Sequence, residues 1–462
     1  MRPIGWRWFV VSSMMVAGLA AGAETRPQYG GVLRVALRAA PASLDPADVS
    51  QSVSQDSAQA DSFARRSLTE LMFDTLLSAD DNGQIQPSLA TTWQAVPGSQ
   101  RWQFRMRRGV KFHDGTPLTA ETAAASLRAA NPSWNVVADA DSVVIESSDA
   151  NLLAELALRR NAIAKRTADN QPSGTGPFHV VDWQPGRKLS LAAWEDCWRG
   201  RPFLDAIEIE MGKSFRDQMT ALELGKADLV EVAPEQARRV SQVGRRLATS
   251  SPVELLALLF TRDVASADEK LLREALALSV ERGSIRNVLL QGAGQAAGGI
   301  LPNWMNGYGF VFPVDADLPR ARQEREQVRG GPTWILGYDG SDPLARLLAE
   351  RIALNARDAG LLLQPAPAAT AELRLVRIPL AAPDPWIALA GVATFAGLPT
   401  AKTHDGVEDL YALEVGMLAT QRLIPLFHLP VPYASATSLK SWTLRPDGSF
   451  SLADAWLASS RQ

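Results

Sequence analysis

Apolar and polar residues alternate over Trp102-Gln103-Phe104-Arg105-Met106-Arg107, the period of a strand with one buried face. Asp114-Gly115 then supplies a turn, because glycine takes a positive φ without steric cost. Thr119 is placed to cap a helix, since its hydroxyl can accept from the N–H groups of the following turn, and Glu121 suits the positive helix start. Ala120 to Ala130 is rich in good helix formers. Trp93 to Glu121 therefore predicts strand, strand, turn and helix.

The same reading extends along the chain. Tyr29 to Leu37 predicts a strand, followed by a proline-punctuated loop over Ala40 to Pro46. Phe63 to Ser78 predicts an amphipathic helix with Leu68, Leu71, Met72, Thr75 and Leu76 inward. Asn131 to Arg160 predicts one strand, Ser142 to Glu146, and one helix, Asn151 to Arg160. Phe178 to Val181, Leu189 to Ala193 and the apolar run Leu255 to Phe260 read as strands, and Phe215 to Lys226 as a helix ending at Gly225. Helices over Asp268 to Ser279, Arg320 to Arg329 and Pro343 to Gly360 then alternate with strands at Thr333 to Tyr338, Leu373 to Ile378 and Leu423 to His428. That alternation predicts a second α/β lobe.

At 462 residues the chain is long enough for two or three domains. A formal charge of −3 without a basic run gives no reason to expect nucleic acid. Cys197 is the one cysteine, which rules out an intrachain disulfide and reads as a buried small side chain. Arg2 and Arg7, the apolar stretch Trp8 to Ala20 and Ala21-Gly22-Ala23 have the form of a cleavable leader over residues 1–23. With no cysteine at the cleavage point, a periplasmic protein without a lipid anchor is expected.

Trp93, Trp102-Gln103-Phe104-Arg105 and the long tract Gly109 to Glu121, GVKFHDGTPLTAE, resemble the signature of family 5 of the extracytoplasmic solute-binding proteins, the dipeptide, oligopeptide and nickel class. Ser173-Gly174-Thr175-Gly176-Pro177-Phe178 and the tract Trp194 to Ile209 extend the resemblance. It implies an α/β, two-lobed periplasmic binding protein fold (type II, large cluster C-like) with an inserted subdomain. Lobe I would comprise residues 24–70, 174–262 and 428–462, subdomain II residues 71–173, here trimmed, and lobe III residues 263–427. A small-molecule or peptide ligand would bind in the inter-lobe cleft of a monomer, which would then dock on the inner-membrane permease of an ABC importer. A binding protein turned sensor or chaperone is the alternative, and a periplasmic hydrolase a more distant one.

No catalytic residue, metal site or cofactor is expected. No serine lies in G-x-S-x-G, no two histidines have HExxH spacing, and Gly174-Thr175-Gly176 lacks the lysine of a P-loop. The glycines are instead read as allowing a backbone turn. The expected ligand contacts are Ser43, Trp304, Tyr308, Trp334, Asp384, Trp386 and His404. Ser43 lies in the first-strand loop that the resemblance sets along the cleft, although plain loop chemistry explains it as well. Trp304, Tyr308, Trp334 and Trp386 fall in or near third-lobe loops, where an aromatic wall would suit a mostly apolar pocket, with core burial as the competing reading. His404 adjoins Asp405. Peptide-binding relatives hold the ligand ammonium with an aspartate four residues before a proline. In the tract Leu380 to Trp386 that position is Ala381, leaving Asp384 either as a substitute or as a turn former ahead of Pro385.

Overall fold

The chain opens with β1 (Val32–Ala36) and α1 (Gln55–Met72). The computed structural model describes residues 26–48, 55–80, 82–148, 151–167, 172–309, 312–368, 370–380, 384–400 and 406–458. The expected leader, Ala381 and His404 lie outside the described residues. After α1 comes a small antiparallel unit, lobe II. It contains the hairpin β2 (Leu77–Ala79) and β3 (Ile85–Pro87), then β4 (Ala90–Ala95), β5 (Arg101–Met106), helix α2 (Ala120–Ala130), β6 (Asn135–Asp139), β7 (Ser142–Glu146) and helix α3 (Leu152–Ala157). The four longer strands pair in the order β4-β5-β7-β6. Phe104 and Met106 of β5 are buried while Arg101 and Arg105 are exposed, as strict alternation requires. Phe104, Phe112, Leu127, Val143 and Ile145 share one core, each contributing about 1.5–3 kcal/mol. Thr119 caps α2: its hydroxyl accepts from the Thr122 N–H at 3.2 Å, and the Thr122 hydroxyl accepts from the Thr119 N–H at 3.0 Å.

The short pair β8 (Lys165–Arg166) and β9 (Pro172–Ser173) precedes β10 (Phe178–Gln184), β11 (Lys188–Ala193), β12 (Ala206–Glu210), helix α4 (Phe215–Glu223), β13 (Leu229–Glu231) and α5 (Ala237–Gln242). β1 lies parallel between β12 and β13. Leu33, Val35, Phe178, Ile207, Ile209 and Tyr433 form the core of lobe I. The long strand β14 (Arg246–Phe260) follows. Lobe III then contains α6 (Ala267–Ser279), α7 (Arg282–Val288), β15 (Gln295–Ala296), α8 (Asn303–Asn306), α9 (Leu318–Glu326), β16 (Thr333–Gly337), α10 (Pro343–Asp358), β17 (Leu362–Ala366), β18 (Leu373–Pro379), α11 (Pro385–Ala396) and α12 (Val407–Ala419). A second long strand, β19 (Leu423–Ser435), returns to lobe I.

One sheet runs through both lobes in the order β10-β11-β12-β1-β13-β19-β14-β18-β16-β17, with β15 added beside β19. Its continuity rests on the β14–β19 pair, and that pair is irregular at its middle. The register shifts between Thr249 and Pro252 and again between Pro252 and Glu254. Pro252 faces Pro430 and Thr249 faces Pro432, so ladder donors are missing on both strands. The Ser250 hydroxyl takes up part of the loss by accepting from the Val431 N–H at 2.9 Å. Beyond this joint, Leu256, Leu258 and Phe260 enter one lobe III core, while Leu255, Ala257 and Leu259 enter another on the opposite face. Burial on both faces explains why the run is continuously apolar.

Several expectations need correction. The helix expected to reach Ser78 ends at Met72, and Leu77 to Ala79 pairs instead with β3. The break is tied by Asp74, whose buried carboxylate accepts from the Thr175 hydroxyl at 2.8 Å, Trp198 Nε1 at 2.9 Å and Arg199 at 2.6 Å. Gly174 and Gly176 serve close approach and not the expected turn, since an added Cβ would lie 2.0 Å from the Met72 carbonyl oxygen at Gly174 and 2.6 Å from the Met72 carbonyl carbon at Gly176. The helix expected over Asn151 to Arg160 is confined to α3 and a following 3₁₀ turn at Arg159–Asn161. The unforeseen β6 forms a hairpin with β7 whose turn places Ala140 at φ 51°, so no glycine announces it. The apolar half of β14 packs with the elements that follow it, on both of its faces.

Candidate functional site

Three parts of the fold converge on a cavity of about 440 Å³. Lobe II supplies α3, the β2–β3 turn and Trp102; lobe I supplies Arg66 of α1 and the segment Arg445 to Ser449; lobe III supplies Asp384, Pro385 and Ile387 at the start of α11. The volume lies within the range of about 300–1,000 Å³ typical of small-molecule sites. Leu152, Leu153, Ala157 and Leu158 make one wall apolar.

A second part of the site is organised by two carboxylates, buried Glu70 and half-buried Asp447. Glu70, one helical turn beyond Arg66 on α1, accepts from the Ser451 hydroxyl at 3.0 Å and pairs with Arg159 at 3.1 Å and with Arg445. Arg66 pairs with Asp447 at 3.4 Å and its guanidinium lies 4.9 Å from the centre of the Phe63 ring. Burial lowers the Arg66 pKa, with Asp447 opposing the shift. Burial acts to raise the Asp447 carboxyl, yet Arg66 and the Ser449 hydroxyl and amide hold it below its ordinary value. The two remaining carboxylates on the lining serve local structure. Asp80 accepts from the N–H groups of Asn82 and Gln84, both at 2.9 Å, closing the β2–β3 turn. Asp384 Oδ1 caps α11, accepting from Trp386 N–H at 2.9 Å and Ile387 N–H at 3.1 Å.

Of the described residues expected to touch a ligand, Asp384 lines this cavity and Trp386 is the second residue of α11, half-buried against the lobe III core. The others are elsewhere. The Ser43 hydroxyl accepts from the Asp45 N–H at 3.1 Å within its own loop. Trp304 is 39% exposed and donates its indole N–H to the Pro252 carbonyl at 2.9 Å, so it touches the inter-lobe joint. The Tyr308 hydroxyl donates to buried Glu414, and its ring meets Tyr411 edge-on at 5.3 Å. Trp334 cannot line an open cleft: it is 2% exposed and packs edge-on against Phe260 at 5.2 Å, on the inward side of β16. The sequence reading missed Arg66, Arg159 and Arg445. One signal was available, because Arg66 and Glu70 interrupt α1 beside its buried Ser67, Leu68 and Leu71.

His113 and His428 have structural surroundings. His113 Nε2 donates to the Gly176 carbonyl at 3.0 Å and Nδ1 accepts from the Gly174 N–H at 3.4 Å, which uses both ring nitrogens to join lobe II to the crossing segment. His428 Nε2 donates to the Ile300 carbonyl at 3.0 Å, and burial lowers its pKa to about 4. Among the described residues no three His, Cys, Asp or Glu side chains are grouped as metal ligands.

Comparison with known proteins gives a consistent answer. Residues 84–373 match the profile of the bacterial extracellular solute-binding proteins, family 5 Middle. The nickel-binding protein NikA of Staphylococcus aureus is 27% identical over 241 residues, 48% of this chain and 49% of NikA. The probable D,D-dipeptide-binding periplasmic protein DdpA of Escherichia coli is 22% identical over 290 residues, 56% of each chain. The chain thus spans about half the length of these curated relatives. Among solved structures, the dipeptide-binding protein of Pseudoalteromonas sp. SM9913 in complex with Met-Leu superposes with a TM-score of 0.78 at 17% identity, covering 92% of this chain and 100% of that one. S. aureus NikA with Ni(L-His)₂ gives 0.76 at 17% identity, covering 92% and 99%. These likenesses establish the fold as that of the mixed α/β periplasmic binding proteins. The chain belongs to the bacterial extracellular solute-binding proteins, family 5.

Proposed function

We propose that this chain is the periplasmic ligand-capturing component of an ABC importer, closing its lobes around a peptide-like or other small organic molecule and releasing it unchanged. The observation that carries the reading is the cavity itself, walled by lobes I, II and III together in a fold whose lobes I and III are joined by a strand pair interrupted by prolines. A joint of this kind favours relative movement of the lobes about a few backbone positions. Contacts made with all three walls exist only when the lobes are together, so a ligand making them shifts the population toward the closed form. Moving an equilibrium from mostly open to mostly closed takes about 10⁴-fold tighter binding to the closed state. The closed monomer would then be the form that docks on the permease.

The names of the relatives support a small polar cargo without choosing one, since NikA is named for nickel and DdpA for D,D-dipeptides. Asp384 is the residue we retain from the expected contact set, with Trp386 beside it. The periplasmic setting rests on the leader-like N-terminus and on the family. Native mass spectrometry of protein purified from its own periplasm tests the function. A bound small molecule that leaves intact on unfolding is expected; a bare mass that periplasmic extract leaves unchanged contradicts capture.

A further inference from the structure

Helices α4 and α5 pack on one small core of lobe I, where Leu222 of the first and Val240 of the second meet Val230 of β13 and Ala434 of β19. The two helices end alike. Leu224 closes α4 and is followed by Gly225 at φ 67° and Lys226; Val243 closes α5 and is followed by Gly244 at φ 75°, Arg245 and Arg246. Leu224 is 64% exposed and Val243 66%. A Cβ added to either glycine would meet nothing within 4 Å, so both tips stand in open space. Arg246 opens β14 opposite Ser435, about 20 Å of strand before Pro252, so this end of lobe I lies away from the joint.

Arginine is concentrated here without acidic partners. Arg238 and Arg239 of α5, Arg245 and Arg246 are exposed, and among the described residues none of the four side chains has an ion pair or hydrogen bond. No acidic residue lies between Glu235 and Glu254. Of the acids on the elements around α5, exposed Glu223 and half-buried Asp228 are matched in number by exposed Lys226 and Arg34. Glu231 accepts from the Arg38 N–H at the cleft end of β13, and Glu235 lies in the field of Arg377 of lobe III. The exposed charges of α9 and α10 differ, being paired along the helix as Arg320 with Glu324 and Arg346 with Glu350.

We propose that this end of lobe I docks on a bilayer with anionic headgroups, the four arginines lying among the phosphates and Leu224 and Val243 entering the headgroup layer. Guanidiniums give phosphate paired N–H bonds, and aliphatic tips flanked by cations have the build of an interfacial contact. Each arginine near such a surface is worth about fivefold in partitioning, so four of them give a reversible contact. An acidic protein surface matches the charge alone, whereas a headgroup layer also accepts the two aliphatic tips. The surface is separate from the cavity, so the inference goes beyond capture and stands or falls apart from it.

Vesicle flotation of protein purified from its own periplasm tests this. Vesicles of phosphatidylcholine with phosphatidylglycerol should carry the protein at low salt, and pure phosphatidylcholine vesicles should not. Raising NaCl to about 0.3 M should release it, because salt screens the attraction. Arg245→Gln with Arg246→Gln should weaken partitioning about tenfold or more, and Val243→Ser about threefold. Arg346→Gln with Arg351→Gln on α10 removes the same charge elsewhere and should change partitioning by less than about twofold. Equal binding to both vesicle types, binding to neither, or an unchanged Arg245/Arg246 double variant overturns the proposal. Retention on immobilised polyglutamate without binding to the anionic vesicles also overturns it and assigns the surface to an acidic protein. The vesicle comparison needs no variant, so a misfolded mutant does not spoil the test, and capture is judged separately by the native mass measurement.

Discussion

Pro252 of β14 lies directly opposite Pro430 of β19, so the two long strands that join lobes I and III meet where neither residue can donate to the ladder. The lobes have separate cores on either side of this point, and bending here disturbs neither. Pro430→Val restores an N–H and lengthens the regular ladder. We expect a stiffer joint, and hence a smaller ligand-induced decrease in radius of gyration than in wild type, measured by small-angle X-ray scattering. An unchanged decrease would move the hinge elsewhere.

The crossing between lobes I and II depends on the absence of side chains. Gly174→Ala sets a methyl 2.0 Å from the Met72 carbonyl oxygen, a contact that only backbone movement relieves. A loss of about 3 kcal/mol is expected in urea unfolding. Gly109→Ala is the control, because its Cβ meets nothing within 4 Å and only the positive φ of 79° opposes it. About 1–2 kcal/mol is expected there.

Buried His428 makes stability sensitive to acid. Its folded pKa, near 4, is below the unfolded value near 6.5, so the unfolded chain binds the proton first. The contribution of neutral His428 is therefore fully present above about pH 6.5 and is lost as the pH falls from there toward 4. Over that window the loss amounts to about 3 kcal/mol. His428→Gln keeps a donor for the Ile300 carbonyl and should flatten this part of the stability–pH curve in denaturant titrations. An unchanged slope would assign the acid sensitivity to other groups.

Asp384 combines a helix cap with a place on the cavity wall. Asp384→Asn retains a capping oxygen, so stability should change by less than about 1 kcal/mol, while Asp384→Ala should cost about 1 kcal/mol. Ligand affinity separates the roles. If both variants alter affinity by a similar factor, the carboxylate acts on the ligand. If only alanine does, Asp384 acts through the position of α11.

The fold was legible wherever chemistry repeats locally. The alternation of β5, the Thr119 cap and the helix-ending Gly225 and Gly360 each announce themselves within a few residues, and the tract Gly109 to Glu121 carried the family. The end of α1 was not legible, because the residues that fix Asp74 come from Thr175, Trp198 and Arg199, about a hundred positions away or more. The arginine side of the cavity has the same cause: Glu70 and Arg445 are 375 residues apart. Trp334 shows the opposite error. A tryptophan near loops looks like a ligand wall, but its place in the β16 alternation sends it into the core.

Central to the account is a cleft that shuts on an unmodified small molecule. Its most direct test is small-angle X-ray scattering of the intact protein, stripped of ligand and then reloaded with the molecule that co-purifies from the periplasm. The account predicts a smaller radius of gyration on reloading and recovery of the same molecule afterwards. Superimposable profiles for the stripped and reloaded protein would contradict it.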